Sequence, residues 1–211
     1  MLLPIRLFGD PILRKTSNKI TVFDDNLKRF ADNMIETMYE FNGVGLAGPQ
    51  VGISKNIFIA LETKRDEDDS SNRDEEQPET IEEKRKAWGV VKEHVVINPK
   101  FLDKQGEVFG LEGCLSIPGL HAENIKRAEF VKIEYQDTDG KKHILEAKDF
   151  FARIIQHEYD HLIGKLFFDR LNSQEKQAFL EENRQELVSF QKEAKAFLKE
   201  LKTSPQNFKI S

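Results

Sequence analysis

The stretch His157-Glu158-Tyr159-Asp160-His161 restricts the possible folds of this chain more than any other. Two histidines four residues apart lie close to one helical turn from each other, so a helix presents both imidazoles on one face. There they can grip a single transition-metal ion, and the glutamate after the first histidine sits beside that ion without binding it. The flanks read as helix. Ala152, Ile154 and Ile155 precede the motif, Leu162 and Ile163 follow it, and Gly164 is a natural stop. The pattern predicts a helix over roughly residues 148–163 and points to metal-dependent hydrolysis without saying of what.

The 211 residues suffice for one domain with a sizeable core. No run approaches the roughly 18 apolar residues of a membrane span. The opening MLLPIRLFGDP lacks the basic, apolar and small-residue zones of a secretory signal. The single cysteine, Cys114, excludes an internal disulfide and fits a reducing cytoplasm. A formal charge of −5 argues against nucleic-acid binding as the main activity.

Along the chain, Asp10-Pro11 sets a turn with Leu7, Phe8, Ile12 and Leu13 looking inward. Asp24 to about Phe41 reads as a helix: Asp24 is its N-cap, and Leu27, Phe30, Ala31, Met34, Ile35 and Met38 recur at helical spacing until Gly43. Gly43 to Ile53 (GVGLAGPQVGI) is too rich in glycine for a regular element and reads as a loop able to lie against a ligand. A strand from Asn56 to Leu61 follows. Residues 62–87 are acid-rich and almost without apolar side chains, so they read as an exposed insertion, with a solvated helix over Glu79 to Ala87. Strands are expected at His94 to Ile97, closed by Asn98-Pro99, then at Glu129 to Tyr135 and His143 to Glu146 around an Asp139-Gly140 turn. The segment Leu111 to Gly119 (LEGCLSIPG) reads as an exposed turn leading into a loop. One last helix should run from Asn172 or Ser173 to about Leu201, packing by the stripe Leu180, Leu187, Phe190, Ala194, Phe197, Leu198 and Leu201. The tail from Thr203 is expected to fray.

Catalytic metal sites commonly have three protein ligands and one open position. A third histidine in the HExxHxxGxxH pattern fails, because Phe167 occupies its place. Glu181 stands about twenty residues downstream in a helix, as in thermolysin-like peptidases. Cys114 within EGCLS is the remaining choice, with a small buried apolar role as its plainer alternative.

GVGLAGPQ, EGCLS and QHEYDHL, in that order, resemble the three motifs of the peptide deformylases. FGDPILRK, Ile97-Asn98-Pro99, SIPG, Arg127, the hairpin and the terminal helix extend the resemblance over most of the chain. Gly48 departs from the family's usual alanine, and the insertion after Leu61 is longer than the family pattern. The resemblance implies a single α+β domain over residues 1–202, with mostly antiparallel sheets around the metal-binding helix and a long C-terminal helix over residues 173–202. It implies removal of the N-formyl group from the initiator methionine of new polypeptides, near the ribosome exit of a bacterial cytoplasm. Cys114, His157 and His161 would hold Fe²⁺, replaceable by Zn²⁺, Ni²⁺ or Co²⁺. Glu158 would be the general base, and Gln50 with the backbone N–H of Leu115 the oxyanion donors. Val44, Gly45, Arg127, Phe150 and Arg153 match the family's pocket wall. Two rivals remain at this level: a peptidase using Glu181, and an inactive relative that binds partners through the acidic insertion.

Overall fold

The computed structural model describes residues 1–64 and 78–203. Strand β2, Ile57–Thr63, explains the architecture. Its side chains alternate between faces, and both faces are buried. Ile57, Ile59 and Leu61 join one apolar cluster with Leu27, Phe30, Met34 and Met38 of helix α1, Asp25–Glu40. Phe58 and Ala60 join a second cluster with Ala152, Ile154, Ile155 and Leu162 of helix α3, Asp149–Leu162. A continuous apolar run is what a strand covered on both sides requires. Each large side chain so buried contributes roughly 1.5–3 kcal/mol.

β2 is second in a five-stranded antiparallel sheet of order β1-β2-β3-β6-β7, with β1 at Gly45–Ala47, β3 at Val90–Gln105, β6 at Phe130–Gln136 and β7 at Lys142–Lys148. A separate two-stranded ribbon joins β4, Val108–Cys114, to β5, Ile117–Arg127. The ribbon packs through Ile117, Ala122 and Ile125 onto Phe167, Phe168, Phe179 and Leu187. An α+β fold with antiparallel sheets around the central HExxH helix is therefore present as expected.

Several boundaries differ from the sequence reading. The Gly-rich segment is regular after all: β1 pairs with β2, and Gly48–Val51 form a 3-10 turn. Gly48 is closely packed, since a Cβ there would meet the carbonyl oxygens of Ile53 and Lys55 at 2.9 Å. α1 is turned at its end by Asn42, which takes φ 55°, rather than by Gly43. β3 does not stop at Asn98-Pro99. It bends there, so its first half pairs with β2 and its second half with β6. Asn98 tolerates φ 51°, and its side chain satisfies both the N–H and the carbonyl of Ile20. The final helix breaks into α4, Ser173–Glu182, and α5, Arg184–Thr203. At the break, the Asn183 amide donates to the Phe179 carbonyl at 2.8 Å and so competes with continuation of the helix. Gly164 does end α3. It has φ 71°, and a Cβ would lie 2.6 Å from the Arg14 carbonyl oxygen.

The insertion is more integrated than its composition implies. Glu62 and Thr63 belong to β2. Residues 65–77 and the tail from residue 204 lie outside the described residues. Helix α2, Ile81–Ala87, is capped by Thr80 and Glu83 and buries none of its residues completely. It is nonetheless anchored. Ile81 and Trp88 pack on the α1 cluster, Trp88 stacks on Tyr39 with ring centroids 5.6 Å apart, and Lys84 donates to the Tyr39 carbonyl at 2.7 Å. Arg85 donates to Glu93 through two nitrogens, at 2.6 and 3.0 Å. Trp88→Ala should therefore cost about 2 kcal/mol, lowering the melting temperature by about 4–8 °C. An unchanged thermal melt would show that α2 merely rests on the surface.

Candidate metal centre

α3 carries His157, Glu158 and His161 to the sheet face beneath β1. The β4–β5 ribbon brings Cys114 to the same place from a distant part of the chain. Only Leu115 and Ser116 separate the paired residues Cys114 and Ile117. The expected exposed loop is thus a tight hairpin with Ser116 and Ile117 fully buried and Cys114 half-buried. Ligand atoms of Cys114, His157 and His161 all lie within 4.8 Å of one another, a spacing one metal ion can span. Cys114 Sγ is 3.3 Å from His161 Nε2. Among the described residues this is the only such cluster. Glu181 lies elsewhere, exposed on α4 and accepting a hydrogen bond from Gln177 at 3.0 Å. The peptidase reading loses its third ligand.

One thiol and two imidazoles form a donor set suited to a borderline divalent ion. The electrostatics prepare the thiolate. Burial alone would push the Cys114 pKa up, but His161 and His157 overcome it and bring it down to about 5. Glu158 behaves oppositely. Burial pushes its carboxyl up to about 7, against the lowering influence of both histidines. Its Oε2 has no hydrogen-bond partner among the described residues. Gly45 makes room for this carboxyl, since a Cβ there would lie 2.3 Å from Glu158 Oε1. Gln50 is buried, with its Oε1 accepting from the Ala47 N–H at 2.7 Å and its Nε2 directed at Cys114 Sγ at 3.4 Å.

Behind the ligands is a charge network that the sequence reading missed. Glu112 is buried and accepts four hydrogen bonds: two from Arg127, one from Arg153 and one from His157 Nδ1, all at 2.8–2.9 Å. Burial would raise its pKa, yet Arg127 and His157 hold it well below the usual carboxylate range. With Nδ1–H donating to Glu112, His157 keeps its Nε2 lone pair for a metal. Asp160 accepts from Arg127 Nη1 at 2.6 Å and from Arg170 Nε at 2.8 Å. A signal for both carboxylates was present. Glu112 is two residues before Cys114 on one strand and shares its face; Asp160 is three after His157 on a helix.

Arg127 and Arg153, expected in the pocket wall by resemblance, have buried guanidinium groups: Arg127 pairs with Glu112 and Asp160, and Arg153 with Glu112 and the Ile125 carbonyl. Gly45 lies against the Glu158 carboxyl, and Val44 and Phe150 are half-buried against the apolar cluster beneath α3. Leu115, at the hairpin tip, packs toward α1, and a Cβ on Gly43 would touch it at 2.8 Å.

A buried HExxH helix with a cysteine delivered beside its two histidines from a β-ribbon is the arrangement of a metal-dependent hydrolase. Residues 2–177 match the family model described as polypeptide deformylase. The peptide deformylase of Thermus thermophilus is 47% identical over 201 residues, covering 95% of this chain and 98% of the relative. Peptide deformylase 1 of Clostridium perfringens is 43% identical over 165 residues, covering 78% and 95%. The crystal structure of a Thermus thermophilus peptide deformylase superposes with a TM-score of 0.78 at 44% identity, covering 92% of this chain and 99% of that one. That of the Thermotoga maritima protein gives 0.65 at 39% identity, covering 82% and 99%. The chain belongs to the peptide deformylase family, metal-dependent enzymes that remove the N-formyl group from nascent peptides.

The Glu112 arrangement predicts a two-part effect. Glu112→Ala removes the carboxylate that two buried guanidinium groups share and should destabilise the protein by roughly 3–5 kcal/mol. It also frees the His157 ring, so metal affinity should fall about 10–100-fold. Thermal unfolding and a competitive chelator titration check the two parts separately. Wild-type affinity in the folded variant would remove Glu112 from the orientation of His157.

Proposed function

We propose that Cys114, His157 and His161 hold one divalent ion in this deformylase, natively Fe²⁺, with Zn²⁺, Ni²⁺ or Co²⁺ able to replace it. The observation that carries this assignment is the convergence of the three ligand atoms beside the buried Glu158 carboxyl, whose Oε2 has no hydrogen-bond partner among the described residues. Bound there, the ion supplies a hydroxide nucleophile near neutral pH. Glu158 Oε2 takes up the proton released as the nucleophile forms and returns it to the departing nitrogen, a role that its pKa of about 7 suits. Gln50 Nε2 and the Leu115 N–H are the donors for the oxyanion that develops on the formyl oxygen. Gln50 is already oriented, since its Oε1 is fixed by the Ala47 N–H.

β1 is an edge strand, hydrogen-bonded on one side to β2. Its other side can pair with the extended backbone of a formylated chain, while Val44 and Phe150 give apolar walls for the methionine side chain. The substrate is the nascent N-formyl-methionyl polypeptide, met near the ribosome exit in the cytoplasm. No described helix is long and apolar enough to cross a membrane. A metal-binding thiolate also survives best in a reducing compartment.

Glu158→Gln keeps the side-chain shape and removes the proton acceptor. We expect metal to be retained and formate release from a formyl-Met peptide to fall at least about 10²-fold. Near-normal turnover would remove Glu158 from the mechanism. Cys114→Ala should bind metal poorly, whereas Glu181→Ala should match the wild type in metal per protein and in formate release. Full occupancy and activity in Cys114→Ala would sink the Cys-His-His assignment.

A further inference from the structure

A cavity lies on the side of α3 away from Glu158. It has a volume of ≈ 330 Å³, and its charged lining is Lys104, Lys126, Arg127, Arg170, Glu107 and Asp160. Four cations thus surround two carboxylates. Three of the four are matched: Lys126 pairs with Glu107, Arg170 with Asp160, and Arg127 with Asp160 and Glu112. Lys104 has no carboxylate in ion-pair distance among the described residues. Its ammonium lies 3.6 Å from the centroid of the Phe101 ring. Burial lowers its pKa, and Arg170 and Arg127 add to that against the opposing pull of Asp160. Arg170 uses Nε and Nη2 on Asp160, and its Nη1 donates to no group among the described residues.

We propose that this pocket is a binding site for a small oxyanion of the phosphate type, held by Lys104 Nζ and the remaining nitrogen of Arg170. The size excludes little: a tetrahedral anion fits, and Phe101 closes one side. The charge balance selects the ligand class. A neutral molecule would leave the Lys104 charge unanswered beside Arg170 and Arg127, and a cation would add to the repulsion. An oxyanion offers acceptors to both donors at once, and charge-assisted hydrogen bonds of this kind are the strong ones. The floor of the pocket, Arg127 and Asp160, also belongs to the network behind His157, but the site requires neither metal nor substrate.

Inorganic phosphate titrated into Zn²⁺-loaded enzyme, with ionic strength held by chloride, tests this through amide resonances. Residues 104–106 should shift and saturate, and Lys104→Ala should weaken the binding at least about tenfold. Lys104→Gln, which keeps the length of the side chain, should weaken it as well, and Glu107→Gln should tighten it by removing a competing carboxylate. Unsaturable shifts, a wild-type titration in Lys104→Ala, or shifts confined to Gly45, Gln50 and Leu115 around the metal would overturn the assignment. A short oligouridylate run in parallel separates a free anion from nucleic-acid phosphates. Tighter binding of the oligomer at residues 104–106 would overturn the small-ion reading.

Discussion

Glu112 is a fully surrounded carboxylate: Arg127, Arg153 and His157 all donate to it, and Arg127 passes on to Asp160. Burying that many charges is favourable only when each finds a partner with good geometry. The carboxylate therefore ties together three parts of the chain: the β4–β5 ribbon, helix α3 and, through Asp160 and Arg170, the turn after α3. Because one of its donors is a metal-ligand candidate, the interaction that docks the ribbon also sets the tautomer of His157. Fold and site share a single constraint.

The opposite side of the centre is governed by sterics rather than charge. Gly45 on β1 lets the Glu158 carboxyl lie against the backbone, where any Cβ would collide with it. The same close approach keeps Glu158 dry, and burial pushes its pKa up to about 7. The Cys114 pKa, which burial would raise, is brought down to about 5 by His161 and His157. Two acidic groups within one small site are thus driven in opposite directions, the thiol toward its ionised form and the carboxyl toward its protonated form.

Much of this was legible in the residues. Spacing alone placed the two histidines on one helix face, because helical periodicity is a local property, and Gly164 marked the end of that helix. The apolar run Ile57 to Leu61 announced a strand, and the three ordered motifs named the family. Other features failed for identifiable reasons. Asn98 looked like a strand end, but its side chain satisfies Ile20 and lets β3 continue through a bend. Asn183 carries no pattern that separates a helix break from an ordinary polar position. Trp88 anchors α2 in a segment whose charge made it look unattached.

Local pattern thus settled the element types, the HExxH geometry and the residue chemistry on offer, since these depend on neighbours a few positions apart. It could not settle which side chains meet across the chain. Cys114 and Glu181 were both admissible ligands until the ribbon placed the first within 4.8 Å of the histidines and α4 left the second exposed. Arg127 and Arg153 matched positions in a pocket wall, yet their charges are taken up by Glu112 and Asp160. Partners some 15 to 47 residues apart in sequence are chosen by the packing of sheet, ribbon and helix, and by the requirement that every buried charge be answered.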